Sequence, residues 1–142
     1  MATGNKTNAK VFNFLNEEIL AGRGDVILPG SEALSGVIKR YAEGGENNMH
    51  CHPTEDHVFY TLDGQATFHI GSDDNVAVVN KHEAVFLPKG TYYRFQSSGD
   101  VKLVMLRVGS EQGCDRLDAE GNLVLSRRAG IAPRVEPRNL PF

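Results

Sequence analysis

Three of the five histidines of this 142-residue chain lie close together, at His50, His52 and His57 in the run GGENNMHCHPTEDHVFYTLDG. On an extended strand, residues two apart point to one face, so His50 and His52 present neighbouring imidazoles to a common point. Pro53 and Thr54 interrupt that strand. His57 then opens the next one, where it shares a face with Phe59 and Thr61. The turn can bring the third imidazole opposite the first two, and three nitrogens from adjacent strands would cap one face of a metal and leave positions open. A single histidine is more often a satisfied polar group than a ligand; this spacing, just ahead of a strand, reverses that reading. Imidazole suits Fe, Ni, Cu or Zn better than Mg or Ca, so one divalent transition metal is expected. Glu55 and Asp56 occupy the turn between the ligand candidates, where solvation accounts for them. The alternatives for either carboxylate are direct coordination or a hydrogen bond to a ligand imidazole.

The elements that must position these side chains are short. From Leu34 to Val108 the runs LSGVIKRYAE, HVFYTL, QATFHI, VAVVN, EAVFLP, TYYRFQ and VKLVMLRV are punctuated by Gly-Gly, Asp-Gly, GSDDN, Lys-Gly and SSGD. Such spacing predicts antiparallel strands in a sandwich or barrel. No amphipathic segment of helical length separates them, which argues against a parallel β-α-β sheet. Asp63-Gly64 between HVFYTL and QATFHI predicts a type I′ hairpin. Ala66, Phe68 and Ile70 alternate with Gln65, Thr67 and His69, so one face of that strand turns to the core, and VKLVMLRV is expected to lie centrally.

Three parts follow. Residues 1–33 form an approach segment with a short strand and a turn or two of helix closed by Gly22 or Gly24. Residues 34–108 form the barrel core. Residues 109–142 form an extension in which only NLVLS resembles a strand; Pro133, Pro137 and Pro141 are barred from ladder interiors, and Arg127, Arg128, Arg134 and Arg138 make it locally basic. The extension is read as a solvated or surface-packed tail, with a partner-clasping arm as the alternative.

Composition sets the outer bounds. The length suits one domain with its own core, and 15 glycines indicate many tight turns. A net charge of -3 and the absence of Trp argue against a nucleic-acid partner. Cys51 and Cys114 form no Cys-x-x-Cys pair, which reads as a reduced, intracellular chain. The polar N-terminus lacks a secretory apolar core and no run reaches membrane-spanning length, so the expected location is cytoplasmic, with no membrane partner.

Gly44, His50, His52 and Gly64 stand at the spacings of the first signature of the cupin superfamily, and over residues 34–108 the chain resembles that family. The resemblance implies an all-β fold, an antiparallel double-stranded β-helix or jelly-roll barrel. His57 occupies the position of the family's metal-binding Glu, which removes a negative charge from the site. In the second signature Pro88 and Gly90 match, while Tyr93 holds the histidine position and Ser97 the asparagine position. The candidate metal ligands are therefore His50, His52 and His57. Tyr93 is the candidate catalytic residue, as a phenolate ligand, a partner of metal-bound water, or an acid or base toward substrate. With a free pKa of about 10 it needs a metal or another cation beside it to ionise at neutral pH. His69, on the polar parity of its strand, is a candidate to reach the cavity; His82, at the family's usual Gly position in a turn, is read as exposed. Of the polar groups Lys39, Arg40, Tyr41, Tyr60, Tyr92 and Arg94, only Tyr41 and Tyr60 are weighed for the pocket.

Small cupins with a three-histidine iron include dioxygenases, and others are lyases, isomerases, decarboxylases and cyclases. The resemblance thus implies a mononuclear metal-dependent enzyme on a small oxygenated organic substrate, read first as a dioxygenase with Fe, with Zn, Ni or Cu as alternatives. A non-redox lyase, isomerase or cyclase, a non-enzymatic metabolite-binding cupin, and a storage or structural cupin with a degenerate site are the other readings. A homodimer is expected.

Overall fold

The computed structural model describes residues 8–15, 23–111, 115–125, 134–135 and 137–141. Among the described residues the regular elements are strands. Before the predicted core come β1 (Val11–Asn13) and β2 (Arg23–Ile27). The core holds β3 (Ser35–Tyr41), β4 (Gly45–His50), β5 (His57–Asp63), β6 (Gln65–Ile70), β7 (Val76–Asn80), β8 (Ala84–Leu87), β9 (Tyr93–Ser97) and β10 (Leu103–Gly109). The extension adds β11 (Asp115–Leu117), β12 (Leu123–Leu125), β13 (Arg134–Val135) and β14 (Arg138–Leu140). Every run read as a strand between Leu34 and Val108 is one, and the fold is the expected all-β jelly roll.

Two sheets build it. One runs in the order β13-β2-β3-β10-β5-β8 and the other β4-β9-β6-β7, with the pairs β1-β14 and β11-β12 beside them. All neighbours are antiparallel except β13, which lies parallel to β2. β10 is central, between β3 and β5, as its nearly continuous apolar character requires. The core is filled from both sheets: Tyr41, Phe59, Leu87, Leu103 and Met105 from the larger, Ala66, Phe68, Val79, Tyr93 and Phe95 from the smaller. Phe59 joins them, its ring centroid 5.3 Å from Phe68, 5.6 Å from Phe95 and 5.7 Å from Tyr93. Ring pairs at these separations add to what apolar burial supplies.

Asp63-Gly64 does not make the expected hairpin. β5 pairs with β10 and β8, whereas β6 pairs with β7 and β9, so the chain changes sheets at this point. Gly64 has φ 77°, and a Cβ on it would stand 2.8 Å from the Lys102 carbonyl oxygen and 2.9 Å from Leu103 Cα. Asp63 has no positive φ, so the type I′ turn is not formed. The glycine is needed for a sharp corner pressed against a neighbouring strand.

The flanking segments also depart from expectation. Gly24 lies within β2 and closes no helix, and Gly22 lies outside the described residues. NLVLS does contribute β12, paired with β11, but the extension adds β13 and β14 to other strands as well. Pro137 and Pro141 fall just before and just after β14, where a missing N–H does no harm; Arg127, Arg128 and Pro133 are outside the described residues. His82 sits exposed in a turn with φ 71°, the backbone region that favours glycine. Cys51 is buried and free, and Cys114 lies outside the described residues. No helix among the described residues is long and apolar enough to cross a membrane.

Because Phe59 is fully buried and bridges the sheets, Phe59→Ala should cost about 3–5 kcal/mol in a urea titration. Phe86→Ala on the same sheet, where the ring is 59% exposed, should change stability by less than about 0.5 kcal/mol. Equal effects of the two substitutions would contradict the assignment of the core.

Candidate metal centre

β4 carries the first part of the site through an irregularity in its pairing. Glu46 is opposite Phe95 and His50 is opposite Tyr93, so Asn47, Asn48 and Met49 face the single residue Arg94. The bulge inserts an even surplus, and side-chain alternation is restored beyond it. Glu46 and His50 therefore both point inward, on adjacent rungs, like their partners Phe95 and Tyr93. Glu46 Oε2 lies 3.4 Å from His50 Nε2. The bulge also turns the Asn48 carbonyl back to accept from His50 Nδ1 at 2.7 Å.

His52 is held from the extension. Cys51 and Leu117 exchange backbone hydrogen bonds of 3.0 and 2.9 Å, which docks β11 on the His-x-His segment. The Asp115 carbonyl then accepts from His52 Nδ1 at 3.2 Å. A carbonyl oxygen can only accept, so in both histidines the proton sits on Nδ1 and the lone pair on Nε2.

His57 opens β5, between Leu87 of β8 and Gly109 of β10. Beside it Glu55 is buried, its Oε1 accepting from Ser35 Oγ at 2.9 Å and lying 3.3 Å from His57 Nε2. The reading of Glu55 as a solvated turn residue is corrected: the turn tucks its carboxylate inside. Gly109 makes the room, since a Cβ there would run into Glu55 Oε1 and Ser35 Oγ. Asp56 instead pins the turn, accepting from the Lys89 amide at 2.8 Å.

The imidazoles converge. Ring centroids are 4.4 Å apart for His52 and His57, 5.3 Å for His50 and His52, and 4.5 Å for His50 and Tyr93. Ligand atoms of His52, Glu55 and His57 all lie within 4.8 Å of one another, a two-histidine, one-carboxylate group suited to a transition-metal ion. His50 adjoins this group across His52. Buried and without a hydrogen-bond partner are Nε2 of His50, Nε2 of His57 and Oε2 of Glu46. His50 Nε2 and Glu46 Oε2, two acceptors 3.4 Å apart with no donor between them, fit a cation.

The charges around the site are arranged to keep its bases free. Burial pushes the Glu46 carboxyl up, but the Lys39 ammonium, 2.7 Å from Oε1, and His50 outweigh this and hold it well below the usual range. Lys39 is itself buried, which favours its neutral form, yet Glu46, Tyr41 and Asp25 keep it protonated beyond the ordinary lysine range. Burial, then the charges of His57 and His50, lower His52 to about 3. Burial likewise lowers His57. Burial and the charge of Glu46 push the Tyr93 hydroxyl well above its ordinary value, so it stays protonated in this environment.

Other expected residues lie elsewhere. Tyr41 packs edge-on against Phe95 in the core at 5.5 Å, and Tyr60 is exposed on the outer face of its sheet, so neither serves as a pocket group of the kind weighed. His69 is turned outward, with Nδ1 against the Asp73 carbonyl at 2.9 Å, because Ala66 and Phe68 take the inward parity of β6. Sequence reading missed Glu46, although stepping back from His50 by even positions reaches it. A groove of about 420 Å³ is bordered by Asn47, Asn48, His50, Arg94, Arg116 and Glu120.

Gly109→Ala should displace Glu55 and lower metal retention measured by elemental analysis, while the sheet content seen by circular dichroism stays the same. The metal-free protein should also be acid-sensitive. The pKa values of His52 and His57 are depressed on folding, so the unfolded chain binds more protons below about pH 6.5. Stability present above that value is then lost as pH falls toward about 3, by up to about 1.4 kcal/mol per pH unit for each histidine. Carboxylates titrate lower, so a melting temperature that is flat from pH 7 to 5 in chelator-treated protein would count against the buried neutral imidazoles.

The sequence profile of the Cupin domain family matches residues 37–109, more than half of the chain. No curated protein sequence matches. Among solved structures, KdgF from Halomonas sp. is 15% identical, with a TM-score of 0.63 over 74% of this chain and 96% of that one. An uncharacterized conserved protein with a double-stranded β-helix domain from Klebsiella pneumoniae is 14% identical, with a TM-score of 0.62 over 85% and 100%. An oxalate oxidase, solved in complex with the substrate analogue glycolate, is 22% identical, with a TM-score of 0.58 over 82% and 63%. These likenesses are of fold. The matched segment runs from within β3 to the end of β10, the strands that carry the inward-facing histidines, and on that match the chain belongs to the cupin domain family.

Proposed function

We propose that this chain is a metal-dependent enzyme acting on a small oxygenated organic substrate by redox-neutral chemistry, as a lyase, isomerase or cyclase does. His52, His57 and Glu55 hold the metal in this reading, and His50 faces it from β4. The observation that supports it most is the convergence of His52, Glu55 and His57, whose ligand atoms all lie within 4.8 Å of one another. When bound, a divalent transition metal supplies Lewis-acid polarisation of a substrate oxygen.

The chain's own groups do the rest. The Asn48 and Asp115 carbonyls fix the tautomers of His50 and His52. Ser35 orients Glu55. Lys39 balances the charge of Glu46. Tyr93, its hydroxyl kept protonated by burial, carries a proton that it can donate to a substrate oxygen. Redox-neutral chemistry asks least of this arrangement, because any of Fe, Zn, Ni or Cu serves as a Lewis acid. A second reading, a dioxygenase with iron, is favoured by the two-histidine, one-carboxylate composition of the compact group.

Elemental analysis of protein purified without an affinity tag should find close to one transition metal per chain. His57→Ala should reduce occupancy by about ten-fold or more, whereas His57→Glu should retain it. Tyr93→Phe should keep the metal and lose turnover. Oxygen uptake by the iron-loaded protein with a substrate would select the dioxygenase. A protein that neither retains nor takes up any of the four metals would overturn both readings.

A further inference from the structure

Leu103, Met105 and Gly109 set the inward parity of β10. Leu103 and Met105 are fully buried in the core, and Gly109 faces Glu55. Arg107, which lies between them at the same parity, therefore also points inward. It stands between Val37 on β3 and Phe59 on β5, both of which are buried. The next inward rung of the same strand pair is Gly109 opposite His57, so Arg107 is the immediate neighbour of the metal centre along the barrel wall.

Among the described residues its charge has no counterion. No ion pair joins Arg107 to a carboxylate among the described residues, and its Nε is buried without a hydrogen-bond partner. The contrast with Lys39 on the adjoining strand is informative. That cation faces the same interior and is met by both Glu46 and Asp25. The remaining inward carboxylate, Glu55, is committed to Ser35 and His57. Arg107 is only partly buried, and a side chain that faces inward can be wetted only through the interior, so solvent reaches the barrel lumen beside it.

An interior guanidinium without a partner destabilises a fold unless an anion arrives to meet it. Its planar fork of N–H donors matches a carboxylate in two parallel hydrogen bonds. We propose that Arg107 anchors a substrate carboxylate, which makes the substrate of this site a small carboxylic acid whose other oxygen atoms face the histidines. The assignment deepens the metal-enzyme reading and rests on it for the role of that second end.

The test uses the metal-loaded full chain. Glycolate, pyruvate, succinate and benzoate, each beside its neutral amide, are added at millimolar concentration while the melting temperature is followed, since a ligand of the folded state raises it. At least one acid should stabilise the wild-type protein and its amide should not. Arg107→Met should bind that acid about 10- to 100-fold more weakly at unchanged metal content, and without ligand it should unfold no earlier than wild type, because it removes an unpaired interior charge. Arg107→Lys, which keeps the charge but not the fork, should bind more weakly than wild type and guards against loss of the Met variant to misfolding. Acid and amide acting alike, or undiminished acid binding in either variant, would overturn the anchor. Metal content separates the two readings. Retained metal without acid discrimination removes the anchor alone, whereas acid discrimination through Arg107 in a protein that takes up no metal removes the metal centre alone.

Discussion

The inward row of β5 is the constraint on which the rest depends. His57, Phe59 and Thr61 alternate onto the inner face, and β10 and β8 fix the strand from both sides. Phe59 reaches across to Phe68, Phe95 and Tyr93 of the opposite sheet, so packing of the two sheets and placement of His57 are one event. A strand shifted by one residue would turn every member of that row to solvent. The apolar core and the histidine cluster thus share one interior, and the core supplies the rigidity that positioned ligands need.

That interior holds more charge than a core built for stability alone would keep. Lys39, Glu46 and Asp25 neutralise one another in part, and burying such groups gains little over apolar side chains of similar volume. His50 and Glu46 retain acceptors with nothing to accept, and Arg107 has no ion pair among the described residues. Departures from polar satisfaction gather at functional sites. Several of them lie close together here, at His50, Glu46 and Arg107 on the inner wall.

The segments outside the matched family region are part of the site's support. β11 pairs through Leu117 with Cys51, and the Asp115 carbonyl holds the ring of His52. β2 lies beside β3 and places Asp25 next to Lys39. Contacts to the backbone and to groups behind a ligand set its tautomer and orientation as surely as the ligand's own strand does.

Sequence alone determined the strands of the core, because period-two alternation and glycine punctuation are local properties. It also singled out the histidines as metal-ligand candidates, since His50, His52 and His57 are close in the chain. The exposed turn at His82 was legible from the family's glycine position, and its positive φ came with the structure. Tertiary structure decided what depended on which strands became neighbours. Asp63-Gly64 reads locally as a hairpin, yet the chain leaves one sheet for the other there, and only the approach of Lys102 and Leu103 reveals it. Glu55 reads as a surface turn residue, yet Gly109, far along the chain, leaves the space that draws it inside. Glu46 joins His50 through a bulge that depends on β9, and Arg107 stands on the inner face without an ion pair among the described residues. Each of these is a relation between residues distant in sequence, fixed by register and packing across the barrel, and no local pattern of residue types encodes it.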